Sequence, residues 1–453
     1  MSNATTLVIG TGIVGIATAY YLSRAEGHGR ITLVDRDQPM AYTSAQSGEN
    51  YRTWWSEPAM VNFTSRSIEL MEEIARDSGN RINMNRRGYA LCTRESDIDK
   101  LVEQVRKGYG DRAEDLLRFH TSAEAPGYQS FESPDWEGVA DGVDVVSNQD
   151  LIRARFPNFD PEVRNILHVR RGGDISGQQM GMYMLEKLRE AGAVRIVAEV
   201  EDIVAQNGFT VTLRGADGVE TRQFDRVVNA AGPFADRIAK MLGVDLPIYN
   251  TFQQKIAFED REGAIPRATP FSIDLDGQMI DWTDEERAML LEDTDHAWLA
   301  QQMPGSIHCR PDGGDGGKWI KLGWAYNETP GTATFEQPTD TNFPEIVLRG
   351  AARLNPALKA YYGQLPRGMH HYGGWYTMTE ENWPLIGPMG PEGAFMTCAL
   401  SGYGTMAACA AGELCAAWMS GGSLPDYARG FAIMRYQDAA LMTVLAEADR
   451  GLL

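Results

Sequence analysis

The chain opens on a short β-branched apolar run, Thr5 to Ile9, followed at once by Gly10-Thr11-Gly12-Ile13-Val14-Gly15. Ile13 to Arg24 is dense in small and apolar residues, as a buried helix would be, and Arg30 to Asp35 is a second apolar run that ends on an acid. The pattern reads as strand, glycine turn, helix, strand: a βαβ start within about 35 residues. Residues 62–76 carry helical periodicity, and 98–118 predict a surface helix of mixed charge. Residues 119–150, rich in Gly, Pro, Ser and Asp, predict loop or short strands. Gln178 to Ala191 predicts an amphipathic helix closed by Gly192, with a strand from Val194 to Glu199 after it. Alternation over 208–224 around Gly215 and Gly218 predicts a hairpin, and Asp225 to Gly232 a buried strand ending on glycine. Residues 246–345 read as strands and loops, interrupted by an acidic helix from about Thr283, a suitable N-cap, to Gln302. Thr405 to Met419, full of Ala and Gly, predicts a helix packed close against a neighbour.

Composition narrows the class. With 453 residues, about three units are expected, or two with insertions. An apolar fraction of 43% and a charged fraction of 23% exclude a collagen-like, disordered or disulfide-scaffold protein. The 62 acidic residues against 42 basic give a formal charge of −20, which repels phosphate backbones and anionic membranes, so no nucleic-acid partner is expected. Cys92, Cys309, Cys398, Cys409 and Cys415 are scattered with no CxxC, which fits reduced thiols and a cytoplasmic location. The seven histidines form no HxxxH or His/Cys cluster, so no protein-built metal site is expected. The apolar stretch from Leu7 to Leu22 has no basic flank before it, and three glycines punctuate it, unlike a signal peptide. No run reaches the roughly 18 apolar residues of a membrane span, so a soluble chain without membrane insertion is expected.

The glycine turn has a definite chemistry. Its first glycine permits the sharp turn, its second lets the backbone approach a pyrophosphate, and its third seats the helix against the strand. The pyrophosphate then rests on a helix N-terminus, where free N–H groups and the dipole favour an anion. Asp35 follows Gly15 by 20 positions, where a carboxylate can bind both hydroxyls of an adenosine ribose. An acid there favours an unphosphorylated ribose, hence NAD or FAD over NADP.

Three further segments separate those two. Tyr42-Thr43-Ser44-Ala45 and Gly48 follow the second strand. Val227-Val228-Asn229-Ala230-Ala231-Gly232-Pro233 is a buried strand leading into a turn. Trp383-Pro384-Leu385-Ile386-Gly387-Pro388 precedes Ala399-Leu400-Ser401-Gly402-Tyr403-Gly404 and a helix. With these the chain, from Thr5 to about Arg435, resembles the D-amino acid oxidase superfamily of flavoproteins, most of all its sarcosine oxidase and glycine oxidase branch. The stretch near Thr283 to Gln302 looks like an insertion relative to smaller members.

The resemblance implies an α/β chain (α+β overall): a Rossmann-like FAD-binding domain interleaved with a mostly antiparallel β-sheet substrate domain. Residues 1–85, 151–245 and 356–453 would form the discontinuous FAD-binding domain, and 86–150 and 246–355 the substrate-binding domain. FAD would lie extended, its adenosine beside Asp35, Arg36 and Val200 and its pyrophosphate on Gly10, Gly12, Ile13, Val14 and Gly15. Thr43, Ser44, Gly48, Ala231 and Gly232 would line its middle. The turn Ser401, Gly402, Tyr403, Gly404, Thr405 and Met406 would bring a helix N-terminus to the pyrimidine edge of the flavin, where that dipole stabilises negative charge. Relatives that tether FAD use a cysteine before a Tyr-Thr-x-Thr run or a histidine near the second-strand turn. Here Tyr376-Thr377-Met378-Thr379 follows Gly374-Trp375, and Ser44-Ala45-Gln46-Ser47-Gly48 holds no histidine, so FAD is expected to be non-covalent.

On the substrate side, amine oxidation needs orientation and a deprotonated amine more than a strong base. Lys321-Leu322-Gly323-Trp324 resembles the Lys-Leu-Gly-Tyr run of monomeric sarcosine oxidases, whose lysine promotes reaction with oxygen; an exposed strand lysine is the plainer reading. Arg52 would meet the flavin face or a substrate carboxylate, or else pair with Glu49 or Glu57. Trp54 and Trp55 would wall the pocket or belong to the core. His308, near a pocket tyrosine of relatives, is a candidate alongside a purely structural reading, with Arg310 two residues on. Tyr403 would line the site. The carboxylate-binding lysine of sarcosine oxidases falls on Met406, so Arg52, Arg310 or another cation takes its place, or the substrate has no carboxylate. The expected activity is oxidation of a small amine or amino acid with oxygen as acceptor. The rivals are a same-fold dehydrogenase serving a quinone or electron-transfer protein, an assembly factor with structural flavin, and an NAD-dependent dehydrogenase.

Overall fold

The computed structural model describes residues 4–124, 127–133 and 135–448. Two large sheets organise the chain. The first has six strands in the order Leu385–Pro388, Ala394–Cys398, Arg226–Asn229, Thr5–Ile9, Arg30–Asp35 and Val194–Val197. Five run parallel, and Leu385–Pro388 alone pairs antiparallel. Strands of such a sheet are buried on both faces, which is why they read as continuous apolar runs. Val8 and Leu33 pack into the layer of helices Ile13–Ser23, Pro58–Asp77, Gly177–Glu190 and Gly404–Ser420. Leu7, Ile9 and Val34 point the other way, against the meander Glu199–Ala205, Phe209–Gly215 and Gly218–Phe224 and the helix Ala235–Met241.

The second sheet has ten strands. Pro330–Gly331, Tyr249–Glu259, Trp319–Trp324, Ile307–Asp312, Phe271–Asp274, Tyr89–Thr93, Asn165–Val169, Val143–Val146 and Leu117–His120 lie in that order, and His370–Met378 also pairs with Tyr249–Glu259. Two pairs are parallel, Phe271–Asp274 with Tyr89–Thr93 and Leu117–His120 with Val143–Val146; the rest are antiparallel. The fold is therefore the expected one, a Rossmann-like unit and a mostly antiparallel sheet. The short strand Asn50–Arg52, paired with Gly172–Asp174, runs between them.

Three elements differ from the pattern reading. The expected helix over 98–118 stops as Asp99–Tyr109, because Gly110 takes φ 56° and turns the chain toward the strand Leu117–His120. Thr283 does cap the acidic helix, its Oγ1 accepting from Glu286 N at 3.1 Å, but the helix covers only Asp284–Glu292. There the Asp293 carboxylate accepts from Asp295 N and binds the His296 ring, competing with further helix. The helix Phe343–Leu354, absent from the pattern reading, buries Phe343, Ile346 and Val347 against the second sheet. Among the described residues, no helix is long and apolar enough to cross a membrane.

Candidate active site

Three cavities, of about 180, 110 and 60 Å³, adjoin one another; the first two lie at the C-terminal ends of the parallel strands and the third against the second sheet. The first and second share Gly12, Thr43, Ser44 and Gly232; the second and third share Ser47, Gly48, Gly402 and Thr405. Crevices at this edge of a parallel sheet are where the fold places ligands.

The first cavity is built on the glycine turn. Gly10 has φ +108°, and a Cβ there would overlap the Ala230 carbonyl; one on Gly15 would overlap the carbonyl of Gly10. These two glycines therefore serve the turn and the strand–helix contact. Asp35 Oδ2 accepts from Thr11 N (2.7 Å) and Thr11 Oγ1 (3.0 Å), so the carboxylate also holds the turn in shape. Asp35, Arg36, Val200, Ala231 and Gly232 line this cavity, and the Arg36 guanidinium lies 3.8 Å from the centroid of Phe335.

The second cavity runs past two helix starts. Ser44 Oγ accepts from Ile13 N at 3.0 Å, and Ile13, Val14, Ser401, Gly402, Gly404 and Thr405 contribute to its wall. The helix Gly404–Ser420 has no side-chain cap, so its first-turn N–H groups are offered to this wall. Ser401 holds the left-handed conformation at φ 46°, and its buried hydroxyl has no partner among the described residues. An uncapped helix start, an orphaned buried hydroxyl and the glycine turn fit an extended dinucleotide carrying a polar ring system.

The third cavity closes the series. The antiparallel register sets Lys255, Gly323, His308 and Ile273 side by side in one row across four strands. A Cβ on Gly323 would overlap His308 Nε2, so this glycine makes room for the imidazole. Lys255, His308 and Ile273 line the cavity, with Arg52, Tyr89, Phe271, Tyr403 and Met406. Burial, and then the charge of Lys255, push His308 down to about 3, so it is neutral at physiological pH. Arg52 is 4% exposed, burial lowers its pKa, and its guanidinium lies among the rings of Tyr89, Trp54 and Trp55. Its backbone N–H donates to Met406 Sδ at 3.1 Å. Burial keeps the Tyr403 phenol protonated; its OH donates to Asn382 O at 3.0 Å, and its ring meets Trp55 edge-on at 5.0 Å.

Two positions further along the same strands, Lys321 stands beside Arg310. Neither side chain is among those lining the cavities. Lys321 Nζ lies 3.1 Å from Glu49 Oε2 and 3.2 Å from Asp312 Oδ1. Arg310 meets Asp312 at 3.1 Å, Asp174 at 3.5 Å and Glu49 at 3.6 Å. Burial raises the Asp312 pKa, but Arg310 and Lys321 hold it below its ordinary value. Glu49 thus faces Lys321 and Arg310, and Glu57 pairs with Lys107. The cation that sequence reasoning missed is Lys255. Its only signal was a lone charge inside the otherwise uncharged run Thr251 to Phe258.

A dinucleotide fold whose extended cleft ends in a small chamber under a second sheet defines a nucleotide-cofactor enzyme with a shielded reaction site. The model of the FAD dependent oxidoreductase family, DAO, matches residues 5–418, and the chain belongs to this family. It is an FAD-dependent oxidoreductase. Among solved structures it is similar to L-proline dehydrogenase from P. horikoshii, at 18% identity and TM-score 0.71 over 96% of this chain and 98% of that one. It is also similar to glycine oxidase from Geobacillus kaustophilus, at 16% identity and TM-score 0.69 over 95% and 98%. Iminodiacetate oxidase from Chelativorans sp. BNC1 matches at 15% identity and TM-score 0.66 over 94% and 98%. At these identities the likeness concerns the fold.

Proposed function

We propose that the protein oxidises a small amine or amino acid at the C–H next to nitrogen, giving an imine that hydrolyses. The observation that carries this is the third cavity, continuous with the cofactor cleft and walled by Arg52, Lys255, His308 and apolar rings. FAD, held by the glycine turn, Asp35 and the start of the helix Gly404–Ser420, would supply the two-electron acceptor chemistry, with oxygen as the proposed final acceptor. The chain's own residues do the rest. Asp35 orients the adenosine end, and the start of the helix Gly404–Ser420 offers N–H groups to the polar ring edge. Tyr89, Phe271 and Ile273 exclude water from the substrate. Neutral His308 accepts or donates one hydrogen bond without a charge change.

FAD is held non-covalently in this reading. Cys398 is the one thiol on the wall of the second cavity among the described residues, and burial pushes it up to about 12, so it stays a thiol. In this reading 1–85, 151–245 and 356–453 form the cofactor domain and 86–150 and 246–355 the substrate domain, although Asn165–Val169 and His370–Met378 pair with strands of the second sheet. The five cysteines are free and buried, which supports a cytoplasmic location. A second reading, a dehydrogenase serving a quinone or an electron-transfer protein, is favoured by one observation: Glu49 and Asp312 compensate the charge of Lys321.

Anaerobic addition of an amine and amino-acid panel tests the proposal. Bleaching of the flavin by one class is expected, and no bleaching by any member would overturn it. Admitting air then separates the two readings, because an oxidase regains its colour within seconds and a dehydrogenase requires an added quinone or dye.

A further inference from the structure

The connection from the strand Pro330–Gly331 to the helix Phe343–Leu354 leaves the second sheet and reaches the cofactor unit. It carries Phe335, which lines the first cavity although it stems from the other sheet. Phe335 is 45% exposed, so burial in a core does not hold it there. Residues of the cofactor unit converge on its ring instead. Phe234 stacks on it with centroids 4.5 Å apart, Tyr42 lies at 5.7 Å, and the Arg36 guanidinium sits 3.8 Å from its centroid. Arg36 meets Glu199 only at 3.9 Å, which leaves its flat face to the ring. The Tyr42 hydroxyl donates to the neighbouring carbonyl of Thr334. Tyr42, Phe234 and Arg36 themselves line the first cavity, so the groups that hold the tip are also its wall.

The base of the connection is fixed differently. Gln337 Oε1 accepts from Gly373 N at 3.1 Å, and Gln254 Oε1 accepts from Asp340 N at 2.8 Å. Gly373 and Gln254 face each other in the paired strands His370–Met378 and Tyr249–Glu259. A segment rooted in a sheet and held at its tip by half-exposed rings can lift at the tip while its base stays.

We propose that residues 332–342 form a strap that closes over the adenosine end of the cofactor, with Phe335 as its latch, and that FAD leaves only when the tip lifts. The inference rests on the adenosine end lying in the first cavity, and is independent of which amine is oxidised.

The test measures cofactor release. Apoprotein of wild type, Phe335→Ala, Phe335→Trp and Tyr42→Phe is reloaded with radiolabelled FAD and chased with excess unlabelled FAD, and the retained label is followed. Phe335→Ala loses the stack and the cation contact together and is expected to release FAD about tenfold faster than wild type. Phe335→Trp keeps both contacts and should release at close to the wild-type rate. Tyr42→Phe loses one hydrogen bond and should release about threefold faster. Wild-type release from Phe335→Ala would overturn the inference, even where its urea midpoint falls, because a purely structural ring lowers the midpoint without touching release. If Phe335→Ala does not fold, Tyr42→Phe decides, and unchanged release from it overturns the inference. Wild-type apoprotein that takes up no FAD overturns the cofactor site as well. Flavin that no amine bleaches, in a protein whose variants release FAD as expected, overturns the oxidation reading alone.

Discussion

The ammonium of Lys321 sits 3.1 Å from the carboxylate of Glu49, with Asp312 at 3.2 Å on its other side. Two carboxylates so placed leave little net charge to act on the cleft. Lys321→Met is therefore expected to slow reoxidation by oxygen by less than about tenfold. The fold should survive, because Arg310 still holds Asp312 and Glu49. Rapid mixing of the reduced variant with oxygenated buffer measures this. A hundredfold loss would show that the ammonium leaves Glu49 to act on oxygen.

Gly323 makes room for His308. A methyl group there forces the imidazole aside, and overpacking of this kind costs about 1–3 kcal/mol. Gly323→Ala should lower stability to denaturant by that amount and raise KM more than it lowers kcat, with flavin content unchanged. Unaltered stability and KM would show that the imidazole yields freely.

Burial holds His168 as well as His308 near 3, against an ordinary value of 6.5. Between those values the unfolded chain binds more protons than the folded one. Stability is thus full above pH 6.5 and falls as the pH drops toward 3. Each histidine is expected to cost about 2 kcal/mol between pH 7 and roughly pH 4.5. Denaturant titrations at both pH values, in wild type and His308→Asn, should show a smaller loss in the variant. An equal loss would mean that His308 titrates alike in both states.

Asp35 Oδ2 accepts from both the backbone and the hydroxyl of Thr11. Asp35→Asn removes the charge that holds the turn and that, in the proposed reading, would meet the ribose. A charge-assisted bond of this kind contributes about 1.5–3 kcal/mol, so FAD should bind roughly ten- to hundredfold more weakly. Equilibrium dialysis of FAD against the apoprotein reads this directly, and unchanged affinity would remove Asp35 from the cofactor site.

Local signals carried the cofactor half. The run from Thr5 to Asp35 holds a whole βαβ unit with its glycine turn, and the structure keeps every element of it. Gly110 was a readable stop, but the mixed charge on either side concealed it. The substrate end depends on contacts that span the chain: Lys321 meets Glu49 across 272 positions, and the Lys255–Gly323–His308 row exists only once three strands have paired. No periodicity within one segment specifies such a row. This is why Lys321 could be noticed from its motif while Lys255, which lines the cavity, could not.

The most direct measurement is the visible spectrum of the purified protein, before and after acid precipitation. A flavin spectrum that moves entirely into the supernatant is the expected result and places freely bound FAD in the cleft. A colourless protein that takes up no added FAD would contradict the account at its root, and colour that stays with the pellet would contradict the non-covalent reading.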